Sequence, residues 1–318
     1  MKIVLLERDS VGRDIDVSGY GKYGEVIEYS NTPKELIAKR VKDADIVVIN
    51  KCVMNEETLK DALNLKLIAI SATGYDVVDL EYCKKRGIRV ANVSNYSTDA
   101  VVQHTFALTL YLLEKLPHYD TYVKSGAYGA GDCFSYYGKS FWELAGKTWG
   151  IIGMGNIGKK VATIAKAFGC NVIYYSASGN TDLEEYERVS LEDLCRRSDV
   201  LSLHCPLSDR TRGIINQDTL SLMKPSAILI NVARGPIVKQ QDLYDALMNG
   251  TIAAAGLDVL EKEPIAADNP LGKIMDSEKL IITPHLVWAS TESRTRLVQG
   301  VMDNVRDFVE GKDRAWIV

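Results

Sequence analysis

Three charged side chains lie just past apolar runs in the second half of the chain: Arg234 in ILINVARGP, Glu263 in AGLDVLEKEP and His285 in LIITPHLVWAS. Arginine offers a planar, two-pronged clamp for a carboxylate. Histidine carries protons near neutral pH, and a carboxylate beside a histidine favours its charged form. Together they supply what hydride transfer on a carboxylate-bearing alcohol needs: an anion clamp, an acid–base group and a partner that tunes it. Each alone says little, since an arginine after a strand is usually a surface ion pair and a lone histidine usually structural. Their recurrence at the ends of successive strands makes them a candidate catalytic set.

The stretch that must position such a set is KTWGIIGMGNIGKKVATIAKAF, residues 147–168. It opens with the apolar run Trp149–Ile152, which suits a buried parallel strand. Gly153, Gly155 and Gly158 follow as G-x-G-x-x-G. Then Ile157, Val161, Ile164, Ala165 and Phe168 recur at helical spacing, with Gly169 where a C-cap glycine belongs. In this strand–turn–helix context Gly153 permits the tight turn, Gly155 lets backbone approach a pyrophosphate, and Gly158 lets helix pack on strand. The diphosphate is expected at the helix N-terminus, where N–H groups and the helix dipole favour anions. The module runs to about Thr283, with further strands expected at Val172–Tyr175, Val200–Leu203, Ala227–Asn231, Ala253–Leu257 and Leu280–Ile282, and helices at Leu191–Arg197 and Gln240–Met248.

Residues 1–98 read as a second α/β module. Strands are expected at Ile3–Leu6, Val26–Ile27, Ile46–Ile49, Leu67–Ile70 and Ile88–Val90. Helices are expected at Thr32–Val41, with Thr32 capping and Pro33 at the first helical position, and at Asn55–Leu63 and Val77–Lys85. Alternation of this kind implies a parallel sheet covered on both faces. A long helix, Ala100–Leu116, follows a loop in which Thr98 or Asp99 could cap it, and an amphipathic helix spanning Leu297–Val309 ends the chain. Residues 117–146 lack periodicity and crowd aromatics (Tyr119, Tyr122, Tyr128, Phe134, Tyr136, Tyr137, Phe141, Trp142). A water-facing loop is one reading; a subunit interface is the favoured one. Ligands of open α/β sheets bind beyond the carboxyl ends of the strands, so a cleft between the modules is the expected place.

Composition limits the alternatives. At 318 residues the chain can build two cores, and a net charge of −4 argues against nucleic acid, whose binders carry clustered basic surface. No apolar run reaches membrane-spanning length, and the segment before Glu7 is too short for a signal peptide. The six cysteines are dispersed, with no CxxC and no clustered histidines, so they read as reduced thiols rather than disulfides or a metal site, and the cytoplasm is the expected location.

Over nearly its whole length the chain resembles the D-isomer-specific 2-hydroxyacid dehydrogenases, through GKTWGIIGMGNIG, LSLHCPLSDRTRGIIN, MKPSAILINVARGPIV, AGLDVLEKEP and ITPHLVWAS. The resemblance implies a Rossmann-type NAD(P)-binding domain, residues 100–287, and a discontinuous flavodoxin-like α/β substrate domain, residues 1–99 and 288–318. It makes Arg234, Glu263 and His285 the catalytic set. It implies cofactor contacts at Gly153, Gly155, Asn156, Ile157, Gly158, Ser176, His204, Cys205, Pro206, Thr211, Val232 and Ala233, with Asp258 at the nicotinamide carboxamide. Substrate contacts are implied at Lys51, at the amides of Thr73 and Gly74, and at Arg234, His285 and Trp288. A homodimer built through residues 100–144 is implied as well.

Within the family, TGYDVVDLEYCKKRGI and Trp288 are most similar to glycerate dehydrogenases, or hydroxypyruvate reductases. The chain departs from relatives at Ser94-Asn95, where a Pro-Gly pair is common, and at Ser176, where NAD-specific members place an acid. No Arg or Lys lies between Tyr174 and Glu187, and the nearest downstream is Arg188. The expected activity is therefore NAD(P)H-dependent reduction of a small 2-oxo acid, with NAD slightly favoured. Larger aliphatic or aromatic 2-oxo acids are an alternative. A nucleotide-sensing corepressor or scaffold is the alternative from another class, and the joint presence of Arg234, Glu263 and His285 weighs against it.

Overall fold

The structure is a computed structural model that describes residues 1–179, 183–312 and 316–318. The chain divides into two compact units, Met1–Ser97 with Trp288–Val318, and Thr98–Val287. Each is a parallel α/β layer structure.

In the first unit the strands are β1 (Lys2–Leu5), β2 (Glu25–Glu28), β3 (Ile46–Ile49), β4 (Leu67–Ile70) and β5 (Arg89–Ala91), in the order β2-β1-β3-β4-β5, all parallel. The strands are short unbroken apolar runs because both faces are covered. Alternate residues divide cleanly. Val4, Val47, Ile49, Ile68 and Ile70 enter one core, while Ile3, Ile46, Val48, Leu67 and Ala69 enter the other. The helices are α1 (Ile37–Val41), α2 (Glu56–Leu59) and α3 (Leu80–Arg86). Asn55 and Thr58 cap α2 reciprocally, and Asp79 caps α3.

The second unit opens with α4 (Thr98–Leu113) and α5 (Leu116–Lys124). Then come β6 (Thr148–Ile152), α6 (Asn156–Ala167), β7 (Asn171–Tyr175), β8 (Glu187–Arg188), α7 (Leu191–Arg197), β9 (Val200–Leu203), α8 (Gln217–Ser221), β10 (Ile228–Asn231), α9 (Gln240–Met248), β11 (Ala254–Leu257) and β12 (Leu280–Ile282). The seven strands run parallel in the order β12-β11-β10-β9-β6-β7-β8. Strand order reverses about β6, so the glycine turn that follows β6 lies at the topological switch point. One face carries Leu201, Leu203, Leu229 and Leu257; the other carries Trp149, Ile151, Val200 and Ile230 against Val102, Phe106 and Leu112 of α4. The chain ends in α10 (Thr291–Val309), whose Leu297, Val298, Val301 and Val305 fill the second core of the first unit.

Several expectations are corrected. Pro33 is extended (ψ 147), so it precedes rather than opens its helix, and Thr32 spends its hydroxyl on the Leu6 carbonyl. The third helix starts at Leu80, not Val77, because Val78 bridges to Met54: the Val77 carbonyl accepts the Met54 amide and the Asp79 amide donates to the Met54 carbonyl. α4 begins at Thr98 rather than Ala100, with Asp99 in its first turn, and stops at Leu113, short of Leu116, before Lys115 turns left-handed (φ 53). Residues 116–124, expected to be irregular, form α5 with Pro117 in its first turn. Asn95, of the Ser94-Asn95 departure, also takes a left-handed backbone (φ 62), a conformation asparagine tolerates well.

Candidate active site

Three neighbouring strands, β10, β11 and β12, end on the same edge of the second sheet. Arg234, Glu263 and His285 lie beyond those ends. His285 Nδ1 and Glu263 Oε2 are 2.6 Å apart, an ion pair when the ring is protonated. The other carboxylate oxygen, Oε1, accepts the Leu260 amide at 2.9 Å, so Glu263 is fixed to its own loop. His285 itself is left-handed (φ 55), which costs a non-glycine residue energy and needs an external hold. Asp258 supplies it. Its backbone carbonyl accepts the His285 amide at 2.9 Å, and its carboxylate accepts the amides of Leu286 and Val287 at 2.9 and 3.2 Å.

Asp258 is buried, and burial pushes its carboxyl above the usual aspartate range; hydrogen bonds from Thr283, Leu286 and Val287 work the other way. The Thr283 hydroxyl donates to Oδ1 at 2.6 Å and lies 3.3 Å from His104 Nε2 on α4. Burial also lowers His104 below the ordinary histidine value, which favours a neutral ring that donates through Nε2–H. Asp258 thus clamps the turn carrying His285, a contact that the expected carboxamide role had not included. Thr283 and His104 were missed altogether, because 179 residues separate them and only the packing of α4 on the sheet joins them.

Arg234 is exposed, and its Nη1 donates to the Ala233 carbonyl at 2.8 Å. Its backbone is pinned by Asn231, whose side chain reaches the Arg234 carbonyl (3.0 Å) and the Ala233 amide (3.1 Å). Gly235 follows because nothing larger fits: a Cβ there would lie 1.9 Å from the Leu260 carbonyl carbon. That close approach draws the Arg234 loop against the loop that holds Glu263. Val232 and Ala233 are buried beneath it.

The glycine turn fits a dinucleotide. Gly153 has φ 97, and a Cβ on it would meet the Cys205 amide at 2.6 Å; a Cβ on Gly158 would meet the Gly153 carbonyl at 2.1 Å. A Cβ on Gly155 would meet nothing within 4 Å, so that side is open to approach. The N-cap of α6 is Gly155, which has no side chain to cap the helix, and the positive helix end there suits an anion. Beside it, the Thr211 hydroxyl donates to the Pro206 carbonyl (2.8 Å) and accepts the Ser208 amide (2.8 Å), closing the loop after β9. Ser176 directly follows β7 and is buried.

His204 faces inward at the end of β9. The Trp149 indole donates to Ser202 Oγ at 2.9 Å, and that hydroxyl lies 3.0 Å from His204 Nε2. The ring keeps some exposure, but Nδ1 is enclosed and, among the described residues, has no hydrogen-bond partner. Burial drives the His204 value down to about 3, so the ring is neutral.

In the first unit, Thr73 and Gly74 follow β4. The Thr73 hydroxyl donates to Val93 O (3.1 Å), and Asn92 donates to Thr73 O (2.6 Å). The amides of Thr73 and Gly74 donate to no described group. Lys51 is exposed just past β3. Its loop is held by a residue missed in the sequence: the Glu7 carboxylate accepts the amides of Asn50, Lys51 and Cys52 at 2.7, 2.9 and 3.0 Å. Trp288 packs edge-on against Tyr96, ring centres 6.2 Å apart.

All six thiols are unpaired, and burial pushes Cys52 and Cys195 up to about 12, so neither is a nucleophile near neutral pH. Among the described residues no group of three or more His, Cys, Asp or Glu gathers as a metal site, and no helix is long and apolar enough to cross a membrane.

A parallel sheet with a glycine turn at its switch point, followed by an uncapped helix, defines a Rossmann-type dinucleotide-binding unit. Residues 106–287 match the model of the D-isomer specific 2-hydroxyacid dehydrogenase NAD binding domain. The chain is 40% identical over 317 residues to a hydroxypyruvate reductase of Blautia hydrogenotrophica, covering 98% of each. It also superposes on the D-lactate dehydrogenase of Aquifex aeolicus complexed with NAD and lactic acid (TM-score 0.85, 31% identity, 98% and 96% of the two chains). An acyclic imino acid reductase in complex with NADPH and D-Arg is similar over 100% of both chains (TM-score 0.87, 29% identity). The chain belongs to the D-isomer specific 2-hydroxyacid dehydrogenase family, and its fold is that family's α/β architecture.

Proposed function

We propose that the protein reduces small 2-oxo acids, hydroxypyruvate and glyoxylate first, to D-glycerate and glycolate. The observation that carries this reading is the 2.6 Å pair of His285 Nδ1 and Glu263 Oε2 beyond β12 and β11, with Arg234 beyond the neighbouring β10. The similarity to a hydroxypyruvate reductase supports the substrate.

Bound NAD(P)H supplies the hydride; everything else is done by the chain. Glu263 engages Nδ1, so proton transfer falls to Nε2 of His285. That nitrogen gives its proton to the substrate's carbonyl oxygen as the carbonyl carbon is reduced, and in oxidation it takes the proton back. Glu263 stabilises the imidazolium before transfer and fixes the ring's orientation. Arg234 holds the carboxylate and the carbonyl oxygen by its planar fork and polarises the carbonyl. The amides of Thr73 and Gly74 seat the carboxylate, and Lys51 adds positive charge. Trp288 bounds the far end of the substrate and favours a short C3 group. Asp258 holds the turn of His285 and keeps one Oδ2 lone pair for the nicotinamide carboxamide.

Gly153, Gly155, Asn156, Ile157 and Gly158 receive the diphosphate. His204, Cys205, Pro206, Thr211, Val232 and Ala233 wall the dinucleotide. The unit of residues 1–97 and 288–318 serves as the substrate domain, and that of residues 98–287, two residues longer at its start than the expected 100–287, as the nucleotide domain. The working assembly is a cytoplasmic homodimer.

Turnover of NADH and NADPH with hydroxypyruvate, glyoxylate, pyruvate, 2-oxoisocaproate and phenylpyruvate tests the reading. The two short acids should lead in kcat/KM. A lead for the branched or aromatic acids would replace the substrate. Tight nucleotide binding with no turnover of any acid would favour a nucleotide-sensing scaffold.

A further inference from the structure

The Glu7 carboxylate occupies a cradle of backbone amides in the first unit. Its Oε2 accepts the amides of Asn50, Lys51 and Cys52 at 2.7, 2.9 and 3.0 Å, and its Oε1 lies 3.0 Å from the Lys51 amide as well. Consecutive amides that converge on one point form a nest, a backbone site for a carboxylate or a phosphate. Here the chain fills the nest itself. β1 and β3 are paired with Leu5 opposite Val48, which brings Glu7, just past β1, against the loop that follows Ile49.

The nearest buried cation is committed too. Arg8 donates Nη1 to the Gly12 carbonyl and Nη2 to the Ile15 carbonyl, both at 2.7 Å, and its Nε lies 3.3 Å from Glu28 Oε2. β1, β3 and β4 are consecutive in the sheet, so Glu7, Lys51 and the Thr73–Gly74 loop stand past adjacent strand ends on one edge. Neighbouring strands are ~4.8 Å apart, close to the spacing of the two acidic groups in a four- or five-carbon 2-oxo diacid. With one carboxylate at Thr73 and Gly74, such a diacid brings its second beside the loop after β3. There it meets the partly exposed Glu7 carboxylate, with the three amides of the nest already taken.

We propose that Glu7 selects substrates by charge: by filling the nest after β3 it confines the enzyme to 2-oxo acids with one negative charge and turns away diacids. This selection rests on the reading of the chain as a 2-oxo acid reductase that seats the substrate carboxylate beyond β4. An empty nest beside Lys51 would offer a second anion several charge-assisted hydrogen bonds. A filled one offers repulsion instead, because like charges a few ångströms apart at a protein surface are only partly screened by water.

Hydroxypyruvate and oxaloacetate, each reduced with NADH by the parent and by Glu7→Gln, test the selection. Glutamine keeps the length and one carbonyl acceptor for the loop but carries no charge. The oxaloacetate/hydroxypyruvate ratio of kcat/KM should rise about tenfold or more, chiefly through a lower KM for oxaloacetate. A ratio that stays as in the parent overturns the proposal. Glu7→Ala, which empties the nest, gives a second measurement that needs no turnover. Sodium formate should raise its Tm beyond the effect of sodium chloride at equal ionic strength, and should not do so in the parent. Equal formate responses in parent and variant overturn the nest as an anion site, and the proposal with it. Should Glu7→Ala fail to fold, the Glu7→Gln ratio decides alone. A parent that reduces hydroxypyruvate, with an unmoved ratio in Glu7→Gln, overturns only the selection. A parent that reduces no 2-oxo acid at all overturns the reading of the site together with it.

Discussion

His285 and Glu263 meet at 2.6 Å although they come from loops after different strands, and the carboxylate that holds the imidazole is itself held by the Leu260 amide. The histidine can neither turn its ring nor exchange nitrogens without breaking that contact. In the proposed reaction, proton transfer then falls to Nε2.

Two variants of this pair separate transfer from tuning. His285→Asn should keep nucleotide affinity and lose kcat by about 10²–10⁴-fold, the usual worth of a positioned general acid. Near-normal turnover would remove His285 from the mechanism. Glu263→Gln keeps a group that can hold Nδ1 but removes its negative charge; kcat should fall, though less than in His285→Asn, and unchanged turnover would show that Glu263 only orients the ring.

Arg234→Lys keeps the charge and loses the fork. KM for the 2-oxo acid should rise while kcat falls, because the clamp acts in both the ground and transition states. Since the Arg234 side chain is exposed and, among the described residues, bonds only to its neighbour's carbonyl, thermal stability should change little. A large drop in Tm with intact kinetics would reassign the residue to structure.

His204 predicts an acid-sensitive fold. Its folded value is about 3, against roughly 6.5 for an unperturbed histidine, so below pH ~6.5 the unfolded chain binds a proton that the folded ring refuses. This contribution to stability is complete above about pH 6.5 and declines as pH falls toward 3, by on the order of a few kcal/mol over the window. His204→Gln cannot take up that proton. Urea unfolding at pH 7 and pH 4.5 should show the gap between parent and variant narrowing at the lower pH; a constant gap would mean that His204 is not the group responsible.

The aromatic segment predicts a dimer. Phe134 and Tyr137 are 90% and 85% exposed, and Phe141 is half-exposed, which is a costly surface for a solitary subunit. Trp142 packs partly on the core beside α4, so it is a poor probe of assembly. Tyr137→Asp combined with Phe141→Asp should give monomer or aggregate by light scattering, where the unmodified protein gives a dimer. A stable, active monomer in the unmodified protein would contradict the interface.

The sequence by itself determined the strands and the glycine turn, because these are written locally. Ile46–Ile49, Leu67–Ile70, Val200–Leu203 and Ile228–Asn231 are short unbroken runs buried on both faces, and such runs admit few other conformations. It also put Arg234, Glu263 and His285 past strand ends, since each follows its apolar run within a few residues. Helix starts were less legible. Thr32, Pro33, Thr98 and Asp99 all have capping chemistry, yet their groups were engaged by tertiary partners or absorbed into the helix. The tertiary structure alone decided which strand ends are neighbours. Glu7 reaches Asn50, Lys51 and Cys52 because β1 pairs with β3 and not with β4; Arg188 and Arg210 reach the turn after β7 because β8 and the β9 loop flank it. Side chains that act together there lie tens of residues apart, and the free energy that unites them comes from burying whole sheets, which no local pattern records.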